Sequence, residues 1–251
     1  MIRIMVLLAS FPALACVAQP GLAPLEADRP DQTESPAIVP AGWVQCEIGW
    51  LSGSDGSDAM HALPAVLLKP GLGERLELRL GMERSVAHVG GERSSGLEAL
   101  EVGAKAALCS EKAWRPRTSV IAHVAIPGTA APGFRPEGPA GNMRFTLQHT
   151  LSDRLSVGYN LGGEWEGGAF AAGIWTATVG LGAGDRWGFF GEMYGSLGAD
   201  GAADHWTDAG ATFRMGSHVL LDTSFGTSLR GDGAWFVGAG LSFRVPVRVP
   251  R

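Results

Sequence analysis

Apolar and polar residues alternate with a period of two along most of the chain beyond residue 43. In "ERLELRLGME", Leu76, Leu78, Leu80 and Met82 fall on one side, and Arg75, Glu77, Arg79 and Glu83 on the other. That period belongs to a strand whose two faces meet different surroundings. "LEVGAKAAL" repeats it, with Leu100, Val102, Ala104, Ala106 and Leu108 opposing Glu101, Gly103 and Lys105. "LSVGYNLGGE" (155–164) and "WFVGAGLSFR" (235–244) do so again. The pattern predicts twelve strands, at 43–50, 62–69, 75–83, 97–108, 118–126, 142–150, 155–164, 169–181, 186–196, 206–215, 218–227 and 234–244. Most are long enough to cross a bilayer when tilted, and longer than the usual strand of a soluble sheet.

The gaps between these segments alternate in length. Those at 51–61, 84–96 and 127–141 are long, while 70–74, 151–154, 182–185 and 216–217 are tight. Tight turns on one side and longer loops on the other predict an all-β, transmembrane, up-and-down antiparallel β-barrel of about twelve strands. Both termini are then periplasmic and the long loops extracellular. Trp43, Trp50, Trp165, Trp187, Trp206 and Trp235 stand at or near strand ends, as in the aromatic girdles of such barrels.

Composition narrows the setting. Residues 1–18 hold a positive charge at Arg3, an apolar run over 4–15 and small residues after it. This reads as a secretory signal peptide cleaved after Ala15 or Ala18. Cys16 would leave with it, or become a lipidated first residue. The divisions are then a signal peptide at 1–18, a periplasmic or luminal segment at 19–42, the barrel at 43–244 and a C-terminal extension at 245–251. The expected location is a Gram-negative outer membrane, with its lipid and its assembly machinery as partners. A net charge of −5 points away from nucleic acid.

If the apolar faces meet lipid, the polar faces line a lumen. That places Gln45, Glu47, Arg75, Glu77, Arg79, Glu83, Glu101, Lys105, Arg144, Gln148, Asn160, Glu164, Glu192, Asp208, Arg214, Asp222 and Arg244 along a solute path. The same residues also fit a ladder of mixed charges that stabilises a narrow barrel. Glu77 and Arg79 are predicted to pair with Lys105 and Glu101 across neighbouring strands. No catalytic, metal-binding or cofactor motif stands out, and an enzyme is not expected. The six histidines form no G-x-S-x-G or His-x-Ser arrangement, and the nearest serine on a shared face, Ser119 with His123, is four residues away.

The segment "DRPDQTESP" (28–36) is densely polar and bracketed by prolines. Asp28, Arg29, Asp31 and Glu34 are predicted to fold back and meet luminal charges near Glu47, Arg79, Lys105 or Arg244, plugging the passage. A tail in the periplasm is the other reading.

"ADRPDQTESPAIVPAGWVQCEIGW" (27–50), "LELRLGME" (76–83), "GLEALEVGAKAAL" (96–108), "LSDRLSVGYNLG" (151–162) and "WFVGAGLSFRV" (235–245) together resemble the outer-membrane transporter family named after the MetA pathway of phenol degradation. The resemblance implies an outer-membrane β-barrel that moves small, often hydrophobic or aromatic molecules, with no catalytic residues to carry over. Barrels of this kind often end on an aromatic assembly signal, whereas this chain runs past Phe243 into "VPVRVPR". A channel for small molecules is therefore the expected function. A non-conducting structural barrel and a soluble exported ligand binder are the alternatives. A soluble protein would not expose a row such as Leu76, Leu78, Leu80 and Met82.

Overall fold

A computed structural model describes residues 22–231 and 233–247. The expected signal peptide and Cys16 lie outside the described residues. The strands are β1 (Trp43–Asp55), β2 (Asp58–Pro70), β3 (Leu76–Val89), β4 (Glu92–Leu97), β5 (Leu100–Cys109), β6 (Arg117–Ile126), β7 (Ala140–Thr150), β8 (Leu155–Glu166), β9 (Ala169–Ala183), β10 (Trp187–Gly198), β11 (Ala203–Arg214), β12 (Val219–Ser228) and β13 (Trp235–Pro246). Each pairs antiparallel with its sequence neighbour, and β1 pairs with β13 to close the ring. β4 and β5 both pair with β3, end to end, and make one crossing interrupted at 98–99. The result is a closed up-and-down barrel of twelve crossings. Closure pairs every strand on both sides except β4, which pairs only with β3; paired edges are what a bilayer interior demands of its spanning strands.

The barrel is apolar outside and polar inside. Leu76, Leu78, Leu80 and Met82 point outward and are 40 %, 40 %, 38 % and 46 % exposed. The largest fully buried side chains among the described residues are Arg79, Lys69, Lys105, Ile121, Gln45, Glu47, Glu77 and Asn160. Only Ile121 of these is apolar. Strand alternation places one set toward lipid and the other toward the lumen.

Three sequence expectations need correction. The first two long loops are mostly strand. Residues 51–61 hold the ends of β1 and β2 around Gly56–Ser57, and 84–96 hold β3 and β4 around Gly90–Gly91. Gly90 and Gly91 both have positive φ (59° and 84°), the backbone of a two-residue hairpin turn that glycine pairs favour. Only 127–139 remains a long connection, with 3-10 turns at Pro127–Thr129 and Pro132–Phe134. Second, β13 reaches Pro246, opposite Trp43, so the barrel takes in two residues assigned to the extension; 248–251 lie outside the described residues. Third, two tryptophans leave the girdle for the lumen. Trp43 is buried and stacks on His218 at 4.9 Å, beside the Arg244 guanidinium. Trp206 lies 6.0 Å from Phe236, across from Tyr194. Trp165, Trp187 and Trp235 stay on the outer surface.

Candidate functional site in the lumen

Residues 22–42 enter the barrel at the end where β1 begins, rise, cross, and return into β1. Entry is fixed by the Arg244 guanidinium donating to the Ala23 carbonyl, by Leu25 N–H donating to Ser217 O (3.0 Å), and by Gln45 Nε2 donating to Glu26 O (2.8 Å). The return is fixed by Ser119 Oγ donating to Pro36 O (2.7 Å) and Val39 N–H donating to Glu77 Oε2 (2.8 Å). Most of these bonds join backbone groups of the segment to side chains of the wall. They satisfy a stretch that has no secondary structure to satisfy it.

Asp28 is the hub. Its carboxylate accepts from Lys69 Nζ (2.7 Å), Arg79 Nη1 (2.7 Å) and Lys105 Nζ (2.8 Å). Burial alone would raise its pKa, but Lys105, Lys69 and Arg79 hold it well below the usual carboxylate range. Glu47 pairs with Lys69 and accepts from the backbone N–H groups of Asp28 and Arg29 (3.2 Å each). Arg79 also reaches Glu34 Oε2 (2.8 Å) and Glu77 Oε1 (3.1 Å). Nearly all of these charges are buried, and such an arrangement is tolerable only when each is paired. Arg79 also donates from Nε to His123 (2.8 Å).

Arg29 runs along the β1–β13 wall to Asp222 Oδ1 (3.2 Å) on β12. Its guanidinium lies over Gly49 and Gly240, which oppose each other in the β1–β13 ladder. A Cβ at either position would run into Arg29. A larger residue at either position would push the guanidinium off the wall. On the far wall, Gln32 N–H donates to Glu192 Oε2 (2.7 Å), the Thr33 hydroxyl meets Glu192 and Thr176, and Glu34 N–H donates to Asn160 Oδ1 (2.8 Å).

The other predicted lumen residues fall as follows. Gln148 borders the cavity near the entry end, and Glu101 the chamber toward the hairpin end. Arg144 points inward, half-buried, with Nε unpartnered. Asp208 opposes Glu192 across the β10–β11 ladder. Arg75 is corrected: it sits in the turn before β3 and is exposed, because the strand begins one residue later than expected. Arg79 does not bond Glu101; the segment's carboxylates take its donors instead. Lys105 does approach Glu77, at 3.8 Å. Asp31 turns toward Glu192 rather than the β1–β5 charges, and burial together with that carboxylate raises its pKa well above the usual range. Sequence reading missed Lys69, whose neighbours on β2 are apolar. It also missed the pair Ser52 Oγ–His61 Nδ1 (2.7 Å), which is cross-strand and invisible to spacing along one strand. Cys46 and Cys109 are both free.

The segment divides the interior. Toward the entry end lies a cavity of about 570 Å³, bordered by Gly158, Thr178, Gly180, Gly188, Phe190 and Thr212. Toward the hairpin end lie a chamber of about 520 Å³ with Glu83, Glu98 and Glu101, and one of about 430 Å³ with Leu51, Met60, Tyr194, Trp206 and Phe236.

The barrel is similar to an outer-membrane channel from Pseudomonas putida F1, with a TM-score of 0.64 and 10 % identity over 86 % of this chain and 99 % of that one. It is also similar to the KdgM porin, with a TM-score of 0.54 and 13 % identity over 78 % and 98 %. At these identities the likeness is one of fold. No curated protein is similar enough to be matched. Residues 27–245 match the family model described as "Putative MetA-pathway of phenol degradation". That match takes in most of residues 22–42 and all of the barrel but the last residue of β13, and the chain belongs to the phenol-degradation MetA-pathway family.

Proposed function

We propose that the protein is an outer-membrane channel for small apolar or aromatic molecules, with residues 22–42 as the plug that closes its lumen. Residues 1–18 serve as the cleaved signal peptide, and the hairpin end faces outward. The observation that carries this reading is the division of the lumen. A chamber lined by Leu51, Met60, Tyr194, Trp206 and Phe236 sits on one side of the segment, and a glycine- and threonine-lined cavity on the other. An apolar, aromatic-lined pocket with few polar groups takes up apolar ligands. The charged hub seals the way between them. Solute passage then requires the segment to shift, and the polar bonds from Gln32, Thr33 and Glu34 to the far wall are the ones that must part.

Swelling of proteoliposomes tests this. Aromatic solutes such as phenol-sized alcohols are expected to enter faster than sugars of equal mass. Trp206→Ala with Phe236→Ala should slow the aromatic solutes and leave the sugars unchanged. Equal rates for both solute classes would contradict the apolar reading. No passage of either class would favour a structural barrel.

A further inference from the structure

The outer wall carries an isolated basic patch. Strand register separates lipid-facing from luminal positions residue by residue. Among the described residues, the outward ladder positions hold only two formal charges, Arg84 on β3 and Arg93 on β4. Both lie on the same hairpin. His88 is the direct ladder partner of Arg93. His61, on β2, faces outward beside them, its ring 6.1 Å from that of His88. Ser52 occupies the His61 Nδ1 atom at 2.7 Å, which leaves Nε2 free to turn outward. Nearby carboxylates are on the other face: Asp55, Asp58, Glu83 and Glu92 fall on luminal positions by the same register. Neither arginine has an ion-pair partner among the described residues.

The depth of the patch is set by the sequence. Outward positions on β3 read Leu76, Leu78, Leu80, Met82 and then Arg84. Four alternate positions at about 3.4 Å per residue cover roughly 20 Å of strand, or about 15 Å of height at a tilt of about 40°, within an apolar band about 25 Å tall. Arg84 is the first outward charge past that apolar row, and Arg93 stands two residues beyond the Gly90–Gly91 turn, so both sit at the hairpin-end border of the apolar band, among lipid headgroups. Charge there is inexpensive only if it meets water or counter-charge. Arg84 and Arg93 stand four ladder positions, about 14 Å, apart with His61 at the row between them and no carboxylate on that face, which complements a headgroup with two separated phosphates.

We infer that Arg84, Arg93, His88 and His61 form a binding site for the phosphorylated headgroup of an outer-leaflet lipid, docked on the outside of the β2–β4 wall. Each guanidinium takes one phosphate, the imidazoles add donors, and the acyl chains run down over Met82, Leu80 and Leu78. The inference is independent of the channel's solute, but it takes the hairpin end as extracellular.

Native mass spectrometry of the full barrel in neutral detergent tests it, with diphosphorylated lipid A and its dephosphorylated counterpart as probes. The wild type should retain one phosphorylated lipid and not the dephosphorylated one. Arg84→Gln with Arg93→Gln should weaken retention roughly thirtyfold, the summed effect of two arginines near an anionic headgroup. Arg75→Gln, an exposed arginine at the opposite end, should leave it unchanged. Heat-modifiable migration verifies that each variant is folded, and Arg84→Lys with Arg93→Lys, which keeps the charge, should recover most of the binding. Equal retention by wild type and the double glutamine variant would overturn the site. So would equal retention of the two lipids. Displacement of the lipid by millimolar inorganic phosphate alone would overturn the lipid as its ligand.

Discussion

The two walls of the lumen are built on opposite terms. From β1 to β6 the inward side chains are long and charged: Glu47, Lys69, Glu77, Arg79 and Lys105. They fill the bore and grip the segment through the Asp28 hub. At the entry end of β8 to β11 many inward positions are short, with Gly158, Thr178, Gly180, Gly188 and Thr212 bordering open space. The grip there is a few hydrogen bonds from Asn160, Thr176 and Glu192. One wall anchors the segment and the other leaves it room. A segment held this way should swing about the charged wall and open along the glycine wall.

Substitutions on each side separate the roles. Asp28→Ala should have the largest effect, because it leaves three buried cations without their shared carboxylate. Losing one partner of a buried pair costs about 3–5 kcal/mol, so the segment should leave its seat and conductance in planar bilayers should rise several-fold. Gly240→Val should have a smaller effect of the same sign. It forces Arg29 off the wall and breaks its bond to Asp222, a partly exposed pair worth about 1 kcal/mol or less. On the other wall, Gly182→Val meets only ordinary contacts. It should leave closure and heat-modifiable migration unchanged, but slow solute entry once the segment is released. A Gly182→Val variant that opened the channel would dissolve the contrast between the walls.

The smallest effect concerns pH. The raised pKa of Asp31 means that the seated segment favours the protonated carboxyl. Seating should therefore strengthen as pH falls through that raised value, and weaken above it. Asp28 works in the opposite sense, but its depressed pKa confines the loss to strongly acidic solution. Asp31→Asn should give conductance slightly below wild type and a weaker dependence on pH.

The barrel was legible because period-two alternation and strand length are local properties, and each strand carries both. Loop lengths were less so. "SGSDGSDA" and "HVGGER" look like loops by composition, yet their small polar residues continue the ladders and only Gly56–Ser57 and Gly90–Gly91 turn. The luminal charges were legible from alternation on strands such as β3. What the sequence could not give was their partners. The convergence of Lys69, Arg79 and Lys105 on Asp28 joins four separate segments and depends on residues 22–42 folding back beside β2, β3 and β5. The tryptophans show the same limit. Trp43 and Trp206 sit at strand ends like the girdle residues, and only the register turns them inward.

Deleting residues 27–36 and measuring single-channel conductance and proteoliposome swelling beside the intact chain tests the central claim most directly. The account predicts a folded barrel, by heat-modifiable migration, with conductance and swelling well above those of the intact protein. A folded deletion variant with unchanged conductance and swelling would contradict it.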